Sequence, residues 1–113
     1  MPTEFDEIRT AIRGGLAVDS LRRVETLSLS ILKNHYARHP AVFLALATIS
    51  RWVADAWDDI PLSVRVADRV ESQLRPQMEA LLNAADGDPT DVCTVLDSAA
   101  SAFRDVIVQT LDT

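Results

Sequence analysis

Residues Pro40 to Ile60, PAVFLALATISRWVADAWDDI, restrict this chain more than any other stretch. From Ala41 to Ala47 every side chain is apolar, so a helix there meets its surroundings with hydrophobic surface on all sides. Such a helix has to be wrapped by other elements. Its second half is two-faced, with Arg51, Asp55 and Asp58 on one side. Val42, Leu46, Ile49, Val53, Ala56 and Ile60 form one seam at three and four spacing. Phe43, Ala47, Ser50, Ala54 and Trp57 form a second, whose small residues admit a close neighbour. Two seams on one helix call for at least two packing partners.

The remaining segments supply them. Thr3 suits the cap of a first, short helix, with Glu4, Asp6 and Glu7 where a helix N-terminus favours negative charge. Phe5, Ile8 and Ile12 form its narrow apolar stripe, and Gly14-Gly15 ends it. Asp19 or Ser20 is expected to cap a second helix, whose stripe runs through Leu21, Val24, Ser28, Ile31 and His35. The residue before Pro40 is pushed out of helical geometry, so this helix stops near His39. Pro61 is expected to open a fourth helix, in which Val66, Val70, Leu74, Met78, Leu81 and Ala85 hold the period. Pro76 lies inside it, at a cost of about 3 kcal/mol relative to Ala in a straight helix, so a kink is expected near Arg75. After the turn Asp86-Gly87-Asp88-Pro89, a last helix carries Val92, Leu96, Ala99, Phe103 and Val106, widened by Cys93, Ala100, Ile107 and Leu111. No strand-like alternation of useful length occurs. The expected fold is all-α: one domain over residues 1–113, an antiparallel four-helix bundle with a short additional N-terminal helix.

Charge narrows the function. The net charge of −6 argues against nucleic-acid binding and against an anionic membrane surface. It is uneven: residues 86–113 hold six Asp and one Arg, whereas residues 20–40 carry Arg22, Arg23, Lys33 and Arg38 against Glu25 alone. Attraction between these segments predicts that the second and last helices lie together. The apolar run is too short for a membrane span, the N-terminus lacks a signal-peptide pattern, and one cysteine allows no internal disulfide. A cytoplasmic protein is the expectation.

Few residues suggest chemistry. His35 and His39 stand four apart, a spacing found in zinc sites, but without the Glu of the metalloprotease pattern. They are expected to be helix-end histidines that hold no metal. Asp55 and Asp58 share a helical face and are followed by Asp59. With Asp68 and Glu71 they could form a carboxylate site for a divalent cation, although the Glu-x-x-His pairs of di-iron bundles are absent. Cys93, beside Leu96 and Ala100, reads as a small buried hydrophobe.

The expectation is therefore a non-enzymatic interaction, adaptor or regulatory protein without a cofactor, self-associating as a homodimer or binding another protein. Arg51, Trp52 and Trp57, with Arg22 and Arg23, are its interaction candidates, since tryptophan and arginine are enriched in binding hot spots. The widened stripe of the last helix is the apolar area that a monomer leaves uncovered. Two alternatives are a metal-dependent enzyme using Asp55, Asp58, Asp68 and Glu71, and a small-ligand sensor with an apolar pocket near Phe43 and Trp57.

Overall fold

The computed structural model describes residues 3–34, 38–59 and 63–111. Five α-helices follow one another: α1 (Glu4–Arg13), α2 (Val18–Asn34), α3 (Pro40–Asp59), α4 (Val64–Asn83) and α5 (Pro89–Leu111), with a 3-10 turn, Ala84–Asp86, between the last two. The described residues contain no strand. His35, Ile60 and Pro61 lie outside the described residues.

The helix ends follow local chemistry. The Thr3 hydroxyl accepts the Asp6 N–H at 3.2 Å and the Asp6 carboxylate accepts the Thr3 N–H at 3.3 Å, a reciprocal capping box. Gly14 closes α1, and Gly15 takes φ 101°, a left-handed conformation that glycine adopts without strain. One expected start shifts. The second helix begins at Val18, ahead of Asp19 and Ser20, and the Ser20 hydroxyl reaches back to accept the Ala17 N–H at 2.8 Å. The described part of the fourth begins at Val64, where the Ser63 hydroxyl caps it by accepting the Val66 N–H at 3.3 Å; the start expected at Pro61 lies outside the described residues. Asp88 does the same for α5, accepting the Asp91 N–H at 3.1 Å.

Pro76 does not end the helix: α4 runs as one element from Val64 to Asn83. Pro76 and Ser72 are both exposed, and proline has no N–H to donate to the Ser72 carbonyl one turn back.

Packing centres on α3, which touches α2, α4 and α5. The α2–α3 pair is the most extensive, and α4–α5 comes next. Helix α1 is a core element, not an appendage: it fits between α2 and α4 and buries Ile8 and Ile12 completely. The expected meeting of the second and last helices does not occur. Among the described residues α2 has no packing contact with α5. Its arginines are satisfied nearer home, Arg22 by Asp55 of α3 and Arg23 by Glu7 of α1. Exposed charges separated by more than a Debye length are screened, so net segment charge is a weak guide to which helices pack.

Candidate functional site

Helix α3 is not wrapped on every side. Phe43, Leu46, Val53 and Ala54 are buried, yet Ala41, Leu44 and Thr48 face outward, and Leu44 is 57% exposed. This bare strip borders α5, and the two helices leave a groove of about 420 Å³ between them. Ala41, Leu44, Ala45, Thr48 and Ile49 line it from α3. Leu96, Asp97, Ala99, Ala100 and Phe103 line it from α5, so Asp97 is the one ionised side chain in its wall.

The groove is pinned at its two ends. Beside the start of both helices, His39 Nε2 lies 2.7 Å from the Gly87 carbonyl, which accepts from it, and Arg38 donates to the Asp86 carbonyl at 3.0 Å. Further along, the Trp52 and Phe103 rings meet edge to face, with centroids 5.6 Å apart. Between these points the facing side chains are small or short. Ala45, Thr48, Ala99 and Ala100 do not reach across, and an apolar floor stays open.

The two strips flanking this floor belong to one surface. On α5, Cys93, Asp97, Ala100 and Arg104 are exposed and recur at three and four spacing, with Leu96, Phe103 and Ile107 half-buried beside them. Cys93 is thus exposed, contrary to the expectation of burial, because among the described residues no helix covers that edge of α5. The widened stripe in the sequence had its physical meaning in a partly covered face.

The interaction candidates divide. Trp52 belongs to the groove's far end, while Trp57 is half-buried against the core. Arg22, Arg51 and Asp55 form a separate charged cluster across α2 and α3. Arg22 donates to Asp55 at 2.6 Å, and Arg51 lies 4.0 Å from Asp55 and 3.9 Å from Glu25. The hydrogen bond to Asp55 raises the Arg22 pKa, with the Asp55, Glu25 and Asp58 charges adding to it. Arg23 sits 3.5 Å from Glu7 on the α1 side. These pairs bridge α2 to α3 and to α1, and the Arg23 and Arg51 side chains stay 58% and 71% exposed.

The candidate metal ligands do not converge. Asp55 is engaged by arginines, Asp58 is exposed near it, and on α4 Glu71 accepts from Arg75 at 3.1 Å while Asp68 is exposed. Among the described residues no three His, Cys, Asp or Glu side chains are grouped to hold a metal ion. His39 is spent on the Gly87 carbonyl. Phe43, proposed as a pocket wall, is 1% exposed and packs edge-on against Phe5 at 5.2 Å. The sequence missed the α3 side of the groove, since an all-apolar run gives no sign of which face its neighbours leave bare.

No known family matches this chain, and neither a curated protein nor a solved structure does. Among the described residues no helix is long and apolar enough to cross a membrane.

Proposed function

We propose that this chain is a small non-enzymatic interaction protein, adaptor or regulatory in role, that self-associates as a homodimer through the face shared by α3 and α5. The observation that carries this reading is the open apolar groove with Leu44 standing 57% exposed at its rim. Monomeric proteins rarely leave large contiguous apolar patches in water, and two-fold pairing is the commonest way to cover one. In this reading residues 1–113 act as one unit in the cytoplasm. Its four longer helices run alternately up and down, and a bend at Pro76 keeps α4 against the core. Short connections between successive helices support the antiparallel order.

The metal-dependent alternative lacks such support, since arginines engage Asp55 and Glu71. The pocket alternative near Phe43 and Trp57 lacks it too, Phe43 being buried in the core.

Light scattering after size exclusion tests the proposal. The expected mass rises with concentration toward twice the 12.4 kDa of one chain. Leu44→Glu, a substitution at an exposed site, is expected to return the mass to one chain without loss of helical circular dichroism. A wild-type mass that stays at one chain at high micromolar concentration defeats the reading.

A further inference from the structure

We infer that two copies pair through α5 in antiparallel register, about a two-fold axis passing Ala100 and Ser101. This rests on the self-association proposed above and specifies how the second copy is seated. Asp97 and Arg104 stand seven residues apart on the exposed side of α5. Among the described residues Asp97 has no ion-pair partner, and Arg104 meets only its chain neighbour Asp105, at 3.6 Å. The Arg104 side chain is 77% exposed. Between the two charges lie Ala100 and Ser101, both exposed and both small, so two helix backbones can approach closely there.

Charge chooses the direction. With the axis at Ala100 and Ser101, antiparallel helices bring Asp97 of each copy opposite the second copy's Arg104, and the same ion pair forms twice. A parallel pairing instead sets Asp97 beside Asp97 and Arg104 beside Arg104, with the helix dipoles aligned. The apolar surfaces follow the same rule. Helices α3 and α5 begin together at the His39–Gly87 contact and meet again at Trp52 and Phe103. Leu44 therefore lies beside the N-terminal half of α5. In the antiparallel pair that half meets the C-terminal half of the second copy's α5, whose α3 side carries the half-buried Ile107. Leu44 and the second copy's Ile107 then cover one another, twice.

The register has a covalent signature. Cys93 and the second copy's Cys93 fall at opposite ends of the pair, about 22 Å apart along the helix axis at a rise of 1.5 Å per residue. Ala100 of each copy lies next to the axis, within reach of a disulfide if replaced by cysteine. The test uses the full chain under mild oxidation. Ala100→Cys in a Cys93→Ser background is expected to form a disulfide-linked dimer, and the wild type is not. In parallel, Asp97→Arg and Arg104→Asp are each expected to weaken the dimer about tenfold, and the double variant to restore it. Both sites are exposed, and circular dichroism checks that each variant remains helical. A dimer that crosslinks through Cys93 but not through position 100, or that ignores the charge reversals, overturns this register while leaving self-association standing. A chain that stays monomeric overturns both, and leaves the face to a different partner.

Discussion

Leu44 and Leu46 are two residues apart on the same helix, and their surroundings have little in common. Leu46 is wholly buried, whereas Leu44 is 57% exposed. The side of α3 that meets α2 is dense, admits the small residues Ser28 and Ser50 at full burial, and is fastened at its rim by Arg22 and Asp55. The side that meets α5 is pinned at its ends and open between them. Both sides draw on the same apolar run, Ala41 to Ala47. Hydrophobicity alone thus required that α3 be covered, but the neighbouring helices decide which face is covered within the chain and which is left open.

The leucine pair gives the largest test of this contrast. Leu46→Ala is expected to cost about 2–5 kcal/mol in urea unfolding, because the removed carbons leave a cavity in a packed core. Leu44→Ala, measured at a dilution that keeps the chain monomeric, is expected to fall within about 0.5 kcal/mol of wild type. Equal costs at the two positions mean that the α3–α5 groove is closed in the monomer, and the contrast disappears.

A smaller effect of opposite sign belongs to the dense side. Among the described residues the Ser28 and Ser50 hydroxyls are buried without a hydrogen-bond partner. An unmade buried hydrogen bond is a penalty, so Ser50→Ala, and separately Ser28→Ala, is expected to raise stability by about 1 kcal/mol. Destabilisation by either change means that the hydroxyl has a partner after all, such as a bound water.

Smaller again is the ion pair at the edge of that interface. Arg22 and Asp55 are both well exposed, so solvent screens them. A double-mutant cycle with Arg22→Ala and Asp55→Ala is expected to give a small coupling that fades between low and high salt. A coupling indifferent to salt assigns the pair a buried, structural role instead.

Much of this arrangement is legible in the amino-acid sequence. The capping signal at Thr3, the end of α1 at Gly14 and the stripe of α4 are local features, and they appear where the residue pattern puts them. The errors share one cause, which is that they concern neighbours distant in sequence. Cys93 was read as buried because its place in an apolar stripe is the same whether or not a helix lies over it. The pairing of α2 with α5 was inferred from net charge, but Arg22 and Arg23 find carboxylates on α3 and α1. His39 gave no sign of its task, since its acceptor is a backbone carbonyl, and every residue has one. The groove was half legible: α5 announced a stripe too wide for its cover, and α3 hid its share inside a uniformly apolar run.

The last prediction concerns the pinned end of the groove, where the two sides of the comparison are joined. Asp88 caps α5 next to the Asp86 and Gly87 carbonyls that Arg38 and His39 hold. Its pKa lies below the ordinary aspartate value, chiefly because the carboxylate accepts the Asp91 backbone N–H, with Thr90, the Asp91 side chain and the Arg38 charge adding to the shift and desolvation opposing it. A carboxylate whose pKa is depressed by folding contributes stability that is fully present above the unfolded value, about 3.9, and is lost as pH falls through the folded value. Asn caps nearly as well but does not titrate. Thermal melts of wild type and Asp88→Asn, compared from pH 7 down to pH 3, isolate this one group from the other carboxylates. Wild type is expected to be slightly the more stable at neutral pH, and the advantage to shrink below about pH 4. A difference that stays constant across that window assigns the cap to shape and hydrogen bonding alone, without a part for the charge. The same melts carried out with Leu44→Glu separate the junction from the groove. If the pH response is unchanged when self-association is removed, the pinned end is a property of the single chain, and only the open stretch beyond it depends on the second copy.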